Sequence, residues 1–133
     1  MKKTQLINSE ISRVIALLGH TDTIAIGDMG LPIPDHVERI DLAIIQGNPN
    51  LEVVLNAVLE EMFVEHYTIA TEAPESFNTL CDECFMKAQG NKPQLLKISH
   101  EEFKQQLNHV KAVIRTGEDS PYYNVILRSG VIF

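Results

Sequence analysis

The chain has 133 residues, of which 44% are hydrophobic and 22% charged, and its formal net charge is −7 at pH 7. This length and balance are typical of one globular domain with a buried core, and they exclude a disordered chain. The negative charge argues against nucleic acid and anionic membranes as partners, and no apolar run approaches the roughly 20 residues of a membrane-spanning helix.

Helix and strand patterns alternate through the first half of the chain. Asn8 and Ser9 supply capping side chains before apolar residues at helical spacing, and Gly19 ends that run. The next predicted elements are a short buried strand over 23–27, a loop over 30–34 that two prolines keep extended, a strand over 39–44 and a helix whose apolar face spans 51–62.

The second half continues the alternation. Ser99 and Glu102 form an S-x-x-E capping box that opens a helix. The other predicted elements are a strand over 63–70, a helix over 75–89, a strand over 95–98, strands over 112–115 and 123–127, and a turn over 128–130. Helices that alternate with short apolar strands predict an α/β fold: a single three-layer αβα domain over 1–133 with a mostly parallel, mixed central sheet.

Four polar clusters fall at the predicted ends of strands and helices, where α/β folds place their sites. They are the segment 19–22 (GHTD), Asp28, the Ser99-His100 pair, and the segment 116–124 (TGEDSPYYN). Each has a structural alternative when taken singly. His20 can cap a helix, Asp28 can form a turn, His100 can be solvated, and the two tyrosines can pack on the sheet.

The order and spacing of these clusters resemble the D-ribose pyranase family, which is grouped with the fucose mutarotases. The motifs are GHTD, D-x-G-L-P-I-P, R-I-D, S-H-E-x-F and R-x-G-E-x-x-P-Y-x-N, and the resemblance runs over essentially the whole chain. It implies that His20 is the proton donor. It also implies that the sugar is contacted by Asp28, His100, Tyr122 and Asn124, with Tyr123 lying between the last two.

The implied reaction interconverts the β-pyranose and β-furanose forms of D-ribose through the open-chain aldehyde. It needs only proton transfer, so we expect no cofactor and no metal. Histidine suits such a shuttle because its ordinary pKa is about 6.5. Met29 and Tyr123 stand where the family usually has small residues, so the sugar preference stays open between ribose and other monosaccharides.

Three further expectations complete the sequence-based interpretation. Cys81 and Cys84 form a C-x-x-C on an apolar helix face, which favours small buried residues over a redox site. The start of the chain lacks the apolar stretch of a secretory signal, so we expect the cytoplasm. The resemblance implies pentameric rings that pair into a decamer, and the apolar tail 131–133 favours an interface; the alternative is a final strand within a monomer.

Two other functions remain open on the sequence alone. A mutarotase for fucose or another monosaccharide would use the same residues. A non-catalytic sugar-binding module would keep the sugar contacts but would not need His20.

Overall fold

The computed structural model describes residues 1–133, in which six strands form one sheet connected by helices. The longest helix has 15 residues, and no helix is both long and apolar enough to cross a membrane. In chain order the elements are α1 (Ser9–Leu17), β1 (Thr23–Gly27), β2 (Glu38–Asp41), α2 (Leu51–Leu59), β3 (Val64–Ala70), α3 (Glu75–Gln89), β4 (Gln94–Ile98), α4 (His100–Gln106), a 3₁₀ turn (Leu107–His109), β5 (Ala112–Arg115) and β6 (Val125–Ser129).

The sheet has the strand order β2-β5-β1-β6-β3-β4. The pairs β1–β5, β2–β5 and β3–β4 are parallel, whereas β6 runs antiparallel to both of its neighbours, β1 and β3. The predicted α/β class with a mostly parallel, mixed sheet is therefore confirmed. Because the one antiparallel strand lies inside the sheet, its amino end meets the carboxyl ends of all the other strands.

Side chains that alternate along each strand divide the core between the two faces of the sheet. On β1, Ile24 and Ile26 pack towards α1, α2 and α3 in the larger cluster of buried residues. Ala25 points the other way and joins Phe103 and Leu107, which belong to α4 and the turn after it. The sheet is thus covered by helices on both faces, as the predicted three layers require.

Three helices begin at a side chain that accepts a hydrogen bond from the first turn. The acceptor is Asn8 for α1, Asn50 for α2 and Ser99 for α4, at 2.9, 3.0 and 3.1 Å respectively. Such caps satisfy backbone N–H groups that have no partner within the helix. The predicted caps at Asn8 and Ser99 are confirmed, whereas Ser9 is already the first helical residue.

Two strand predictions differ from the observed bounds by more than one residue. The second strand ends at Asp41 because the chain then folds into a tight loop, in which the N–H groups of Ile44 and Ile45 donate to the Asn48 carbonyl. The last strand begins at Val125, since Tyr122 has a left-handed backbone with φ of 65°. It continues to Ser129 by pairing with β1 and β3 where a turn was predicted.

Candidate functional site

One edge of the sheet gathers most of the predicted sugar-contacting residues. Asp28 directly follows β1, His100 follows β4, and Asn124 directly precedes β6. The carboxyl ends of parallel strands share an edge, and the start of antiparallel β6 lies at that same edge between β1 and β3. We call this the Asp28 edge. Residues nearly 100 positions apart in the chain therefore meet there.

Asp28 and Asn124 form a reciprocal pair at this edge. The Asp28 backbone N–H donates to Asn124 Oδ1 at 2.8 Å, and Asn124 Nδ2 donates to Asp28 Oδ2 at 3.0 Å. The second carboxylate oxygen, Oδ1, accepts from the Gly30 N–H at 2.9 Å. Asn124 is almost fully buried, so its amide is fixed. The carboxylate is consequently held in one orientation and keeps lone pairs that can accept a hydrogen bond from a ligand.

The backbone beside Asp28 is held from two sides. The Met29 N–H donates to the Glu118 carbonyl at 2.9 Å, and Arg115 Nε donates to the Met29 carbonyl at 3.1 Å. The Arg115 guanidinium also contacts both carboxylate oxygens of Asp41, at 3.1 and 3.2 Å. The loop that carries Asp28 is therefore rigidly attached to β2 and β5, which favours a preorganised binding site.

Glu118 is a buried carboxylate that connects this loop to α2. Its two oxygens accept from the N–H groups of Leu51, the first residue of α2, and Ser120, each at 3.1 Å. Its own N–H donates to Thr116 Oγ1, which in turn donates to the Gly27 carbonyl at 2.8 Å. One side chain thus joins the start of α2, the end of β1 and the segment that leads to Tyr122.

His100 and Tyr122 form the other wall of the edge. Their rings meet edge to face with centroids 5.1 Å apart, and the His100 backbone N–H donates to Glu72 at 2.8 Å. The Nδ1 atom of His100 is buried without a hydrogen-bond partner, which is costly unless a ligand supplies one. A φ of 65° is unusual for a residue as bulky as tyrosine, and such strain is concentrated at functional sites.

Tyr123 differs in environment from its two neighbours. Its ring packs against Phe77 of α3 with centroids 4.5 Å apart, beside the larger core cluster. Tyr122, in contrast, is exposed and faces His100. The structure therefore brings together Asp28, His100, Tyr122 and Asn124, while the Tyr123 ring lies against α3.

His20 lies at the opposite edge of the sheet, in the turn before β1. It is separated from Asp28 by the full length of five-residue β1, which is about 16 Å. Its Nε2 atom lies 3.0 and 3.2 Å from the two carboxylate oxygens of Glu65. The hydrogen bond from His20 and the charge of Arg128 hold the pKa of Glu65 below its usual value. We call this the His20 edge. A single chain does not place its own His20 beside its own Asp28.

The C-x-x-C cysteines are two free, buried thiols on α3. Burial raises the pKa of both, to about 11 for Cys84, so they stay protonated near neutral pH. This environment agrees with the predicted structural role. No group of three or more His, Cys, Asp or Glu side chains is arranged to hold a metal ion.

The whole chain matches one family of known proteins. A model of the RbsD / FucU transport protein family matches residues 1–132. The chain belongs to this family. The family resemblance predicted from the sequence motifs is therefore confirmed.

Its relatives include enzymes and ligand complexes. This family member is 53% identical to the D-ribose pyranase of Thermosipho africanus and 51% identical to that of Clostridium novyi, with 100% of each chain covered. The structure of Bacillus subtilis RbsD complexed with D-ribose matches with a TM-score of 0.90 and 40% identity over 100% of both chains. The fucose mutarotase of Streptococcus pneumoniae in complex with L-fucose matches at 0.80 and 19% over 100% of both, which shows the fold alone.

Three residues of these two edges were not predicted from the sequence. Arg115 and Glu118 lie within the R-x-G-E motif, but nothing local indicated that they hold Met29 and α2. Glu65 gave no signal at all, because its partner His20 is 45 positions away in the chain.

Proposed function

We propose that this chain is a D-ribose pyranase, which opens and recloses the sugar ring to exchange the β-pyranose and β-furanose forms. The observation that carries the proposal is the full-length identity of 51–53% to D-ribose pyranases together with the convergence of Asp28, His100, Tyr122 and Asn124 at one edge. The 40% identity to an RbsD complexed with D-ribose favours ribose over fucose.

Each group at the Asp28 edge suits a polyhydroxylated ligand. The Asp28 carboxylate, oriented by Asn124, accepts hydrogen bonds from sugar hydroxyls. The buried, unpartnered Nδ1 of His100 gives a hydroxyl a second partner, and the Tyr122 ring supplies an apolar wall with a polar tip. His20 then transfers the proton between the anomeric hydroxyl and the ring oxygen, which is worth about 10²–10⁴-fold in rate.

This function requires His20 to reach a sugar that is bound about 16 Å away at the other edge of its own chain. We propose that a neighbouring copy supplies it, so that each site combines the Asp28 edge of one subunit with the His20 edge of the next. A contact between unlike edges is head-to-tail, and such contacts form a ring when the rotation between neighbouring subunits closes on itself. It is the arrangement expected within the pentameric rings, and a decamer of two rings, that the family resemblance implies.

Exposed apolar side chains at both edges support this assembly. At the His20 edge the exposed side chains are Leu17, Ile132 and Phe133. At the Asp28 edge they include Ile44, Ile45 and Val53, and Ile7 lines the same groove as Val53. The loop that carries Ile44 and Ile45 is firmly held, since the Gly47 N–H donates to the Gly117 carbonyl at 2.6 Å. Apolar patches of this kind mark interfaces in proteins of this size.

The activity is tested by exchange NMR on equilibrated ribose. We expect magnetisation transfer between pyranose and furanose signals on adding the protein, and no transfer with His20→Ala. His109→Ala is the matched control, because His109 is exposed and makes no side-chain hydrogen bond. Faster exchange with fucose than with ribose would reassign the substrate, and ribose binding without exchange would indicate a sugar-binding module.

The shared site is tested by mixing two variants, each of which is impaired in a different half of the site. Equal amounts of His20→Ala and Asp28→Asn subunits are unfolded and refolded together. In a random mixture about one quarter of the sites combine an unmutated Asp28 with an unmutated His20 from the neighbouring subunit, so about one quarter of wild-type exchange should return. No recovery in mixed assemblies would show that both residues act from the same chain. Light scattering coupled to gel filtration measures the assembly, and a mass near 14.9 kDa would exclude it.

We also propose a cytoplasmic location. Its support is the pair of free cysteines, which persist in reducing compartments. Fractionation of cells that express the natural protein tests it, and recovery from the culture medium or periplasm would contradict it.

A further inference from the structure

The side chain of His20 is held at one of its two ring nitrogens. Its Nε2 lies within hydrogen-bond distance of both Glu65 oxygens, at 3.0 and 3.2 Å, while no group of the chain bonds to Nδ1. An ionised carboxylate can only accept, so the hydrogen must lie on Nε2. In the neutral imidazole the other nitrogen, Nδ1, then carries the free lone pair.

Glu65 is itself fixed in place by its surroundings. The register of β3 shifts between Val64 and His66, and this irregularity turns Glu65 towards the end of β6. There Arg128 Nε lies 3.1 Å from Glu65 Oε1, although its N–H is not aligned for a hydrogen bond, so the contact is electrostatic. The cation keeps the carboxylate ionised and therefore an acceptor for His20.

The turn that carries His20 has a strained backbone held by hydrogen bonds. Thr21, which follows His20, has a φ of 74°, a costly conformation for a β-branched residue. The turn is kept in this state because the Thr21 N–H donates to the Ser129 carbonyl at 3.0 Å and the Gly19 N–H donates to Asp22 Oδ2 at 2.9 Å. Backbone strain that several hydrogen bonds maintain is found most often at functional sites.

We propose that Glu65 is a positioning residue that binds His20 through Nε2, so that Nδ1 is the atom that exchanges protons with the sugar. This inference rests on the proposed role of His20. In ring opening, Nδ1–H of the imidazolium donates its proton to the ring oxygen as the bond from C1 to that oxygen breaks. The anomeric hydroxyl returns a proton to Nδ1 as its oxygen forms the C1 carbonyl, so no net proton is consumed.

The nitrogen assignment can be measured without any sugar. Solid-state ¹⁵N NMR of the sedimented full-length protein, labelled at histidine, reports which ring nitrogen carries hydrogen, and the difference from His20→Ala identifies the signals. In the neutral imidazole of His20, we expect hydrogen on Nε2 and none on Nδ1. Hydrogen on Nδ1 overturns the proposal even if the protein is an active pyranase.

Kinetics test the positioning role separately. Glu65→Gln keeps an acceptor oxygen but loses the charge, so we expect kcat for ribose exchange to fall by at least about tenfold with KM changed less than about twofold. Glu61→Gln is the matched control, because Glu61 is similarly exposed and similarly paired, with Lys2 at 2.8 Å, but does not touch His20. Wild-type kcat in Glu65→Gln, or an equal loss in both variants, refutes the role of Glu65. Inactivity of the wild-type protein on ribose would instead refute the proposed function.

Discussion

Replacing Glu118 by Gln removes the charge of a buried side chain without changing its shape. The carboxylate accepts one hydrogen bond from the Leu51 N–H and another from the Ser120 N–H, both at 3.1 Å, and the residue is only 8% exposed. Glutamine has one acceptor oxygen, and its NH₂ group would face the other backbone N–H. Either the buried Leu51 N–H or the part-buried Ser120 N–H must therefore lose its partner.

A buried N–H group that loses its hydrogen-bond partner lowers the free energy of unfolding by about 1–3 kcal/mol. For a chain of 133 residues, 1 kcal/mol shifts Tm by about 4 °C, so Glu118→Gln should lower Tm by about 4–12 °C. The tie between α2 and the segment leading to Tyr122 is weakened at the same time. We therefore expect the ribose KM to rise at least about fivefold, since binding must now reorder that segment.

Asn50→Ala is the matched control, because Asn50 caps the same end of α2 through the Val53 N–H at 3.0 Å. Its loss should cost about 1 kcal/mol, or about 4 °C in Tm. Because Asn50 has no bond to the segment 116–124, ribose KM should stay at the wild-type value. Calorimetry at equal protein concentration and NMR exchange over a series of ribose concentrations give the two readings.

Two results would refute this reasoning about Glu118. An unchanged Tm in Glu118→Gln would show that the two hydrogen bonds contribute nothing to stability. A lowered Tm with wild-type KM, as in Asn50→Ala, would show that Glu118 stabilises the fold without organising the sugar site.

Four other predictions follow from the same structure. Asp28→Asn should slow ribose exchange by at least about tenfold, because a charged acceptor is lost, and near-normal kinetics would leave Asp28 as a turn residue. Exchange should survive EDTA and dialysis, and activity restored by a divalent ion would contradict the proton-only mechanism. Deleting Val131 to Phe133, whose last two side chains are exposed, should cost assembly and activity together, whereas a fully active monomer would contradict the shared site. Burial raises the thiol pKa of Cys81 and Cys84, so less thiolate forms at a given pH; iodoacetamide at about pH 8 should modify them slowly until the protein unfolds, and rapid labelling of the folded protein would contradict their burial.

Local sequence patterns determined most of the secondary structure. The spacing of apolar residues predicts an amphipathic helix or a buried strand because the repeat can be recognised within a few consecutive residues. The predicted bounds of β1 and α3 are those that the structure shows. The Asn8 and Ser99 caps were equally local, since each side chain bonds to a backbone group three positions on. The α/β class followed from the alternation of these elements, and the motifs identified the family.

Only the tertiary structure decided how the site is divided. Inserting antiparallel β6 between β1 and β3 brings Asn124 to Asp28, and no local pattern encodes which strands become neighbours. The same sheet puts His20 at the far end of β1, although His20 and Asp28 are only eight positions apart in the chain. Only the tertiary structure identifies Glu65 as the partner of His20, because the fold brings β3 next to the turn before β1. Spacing along a chain determines helices and strands, whereas contact between distant segments depends on how the whole sheet assembles.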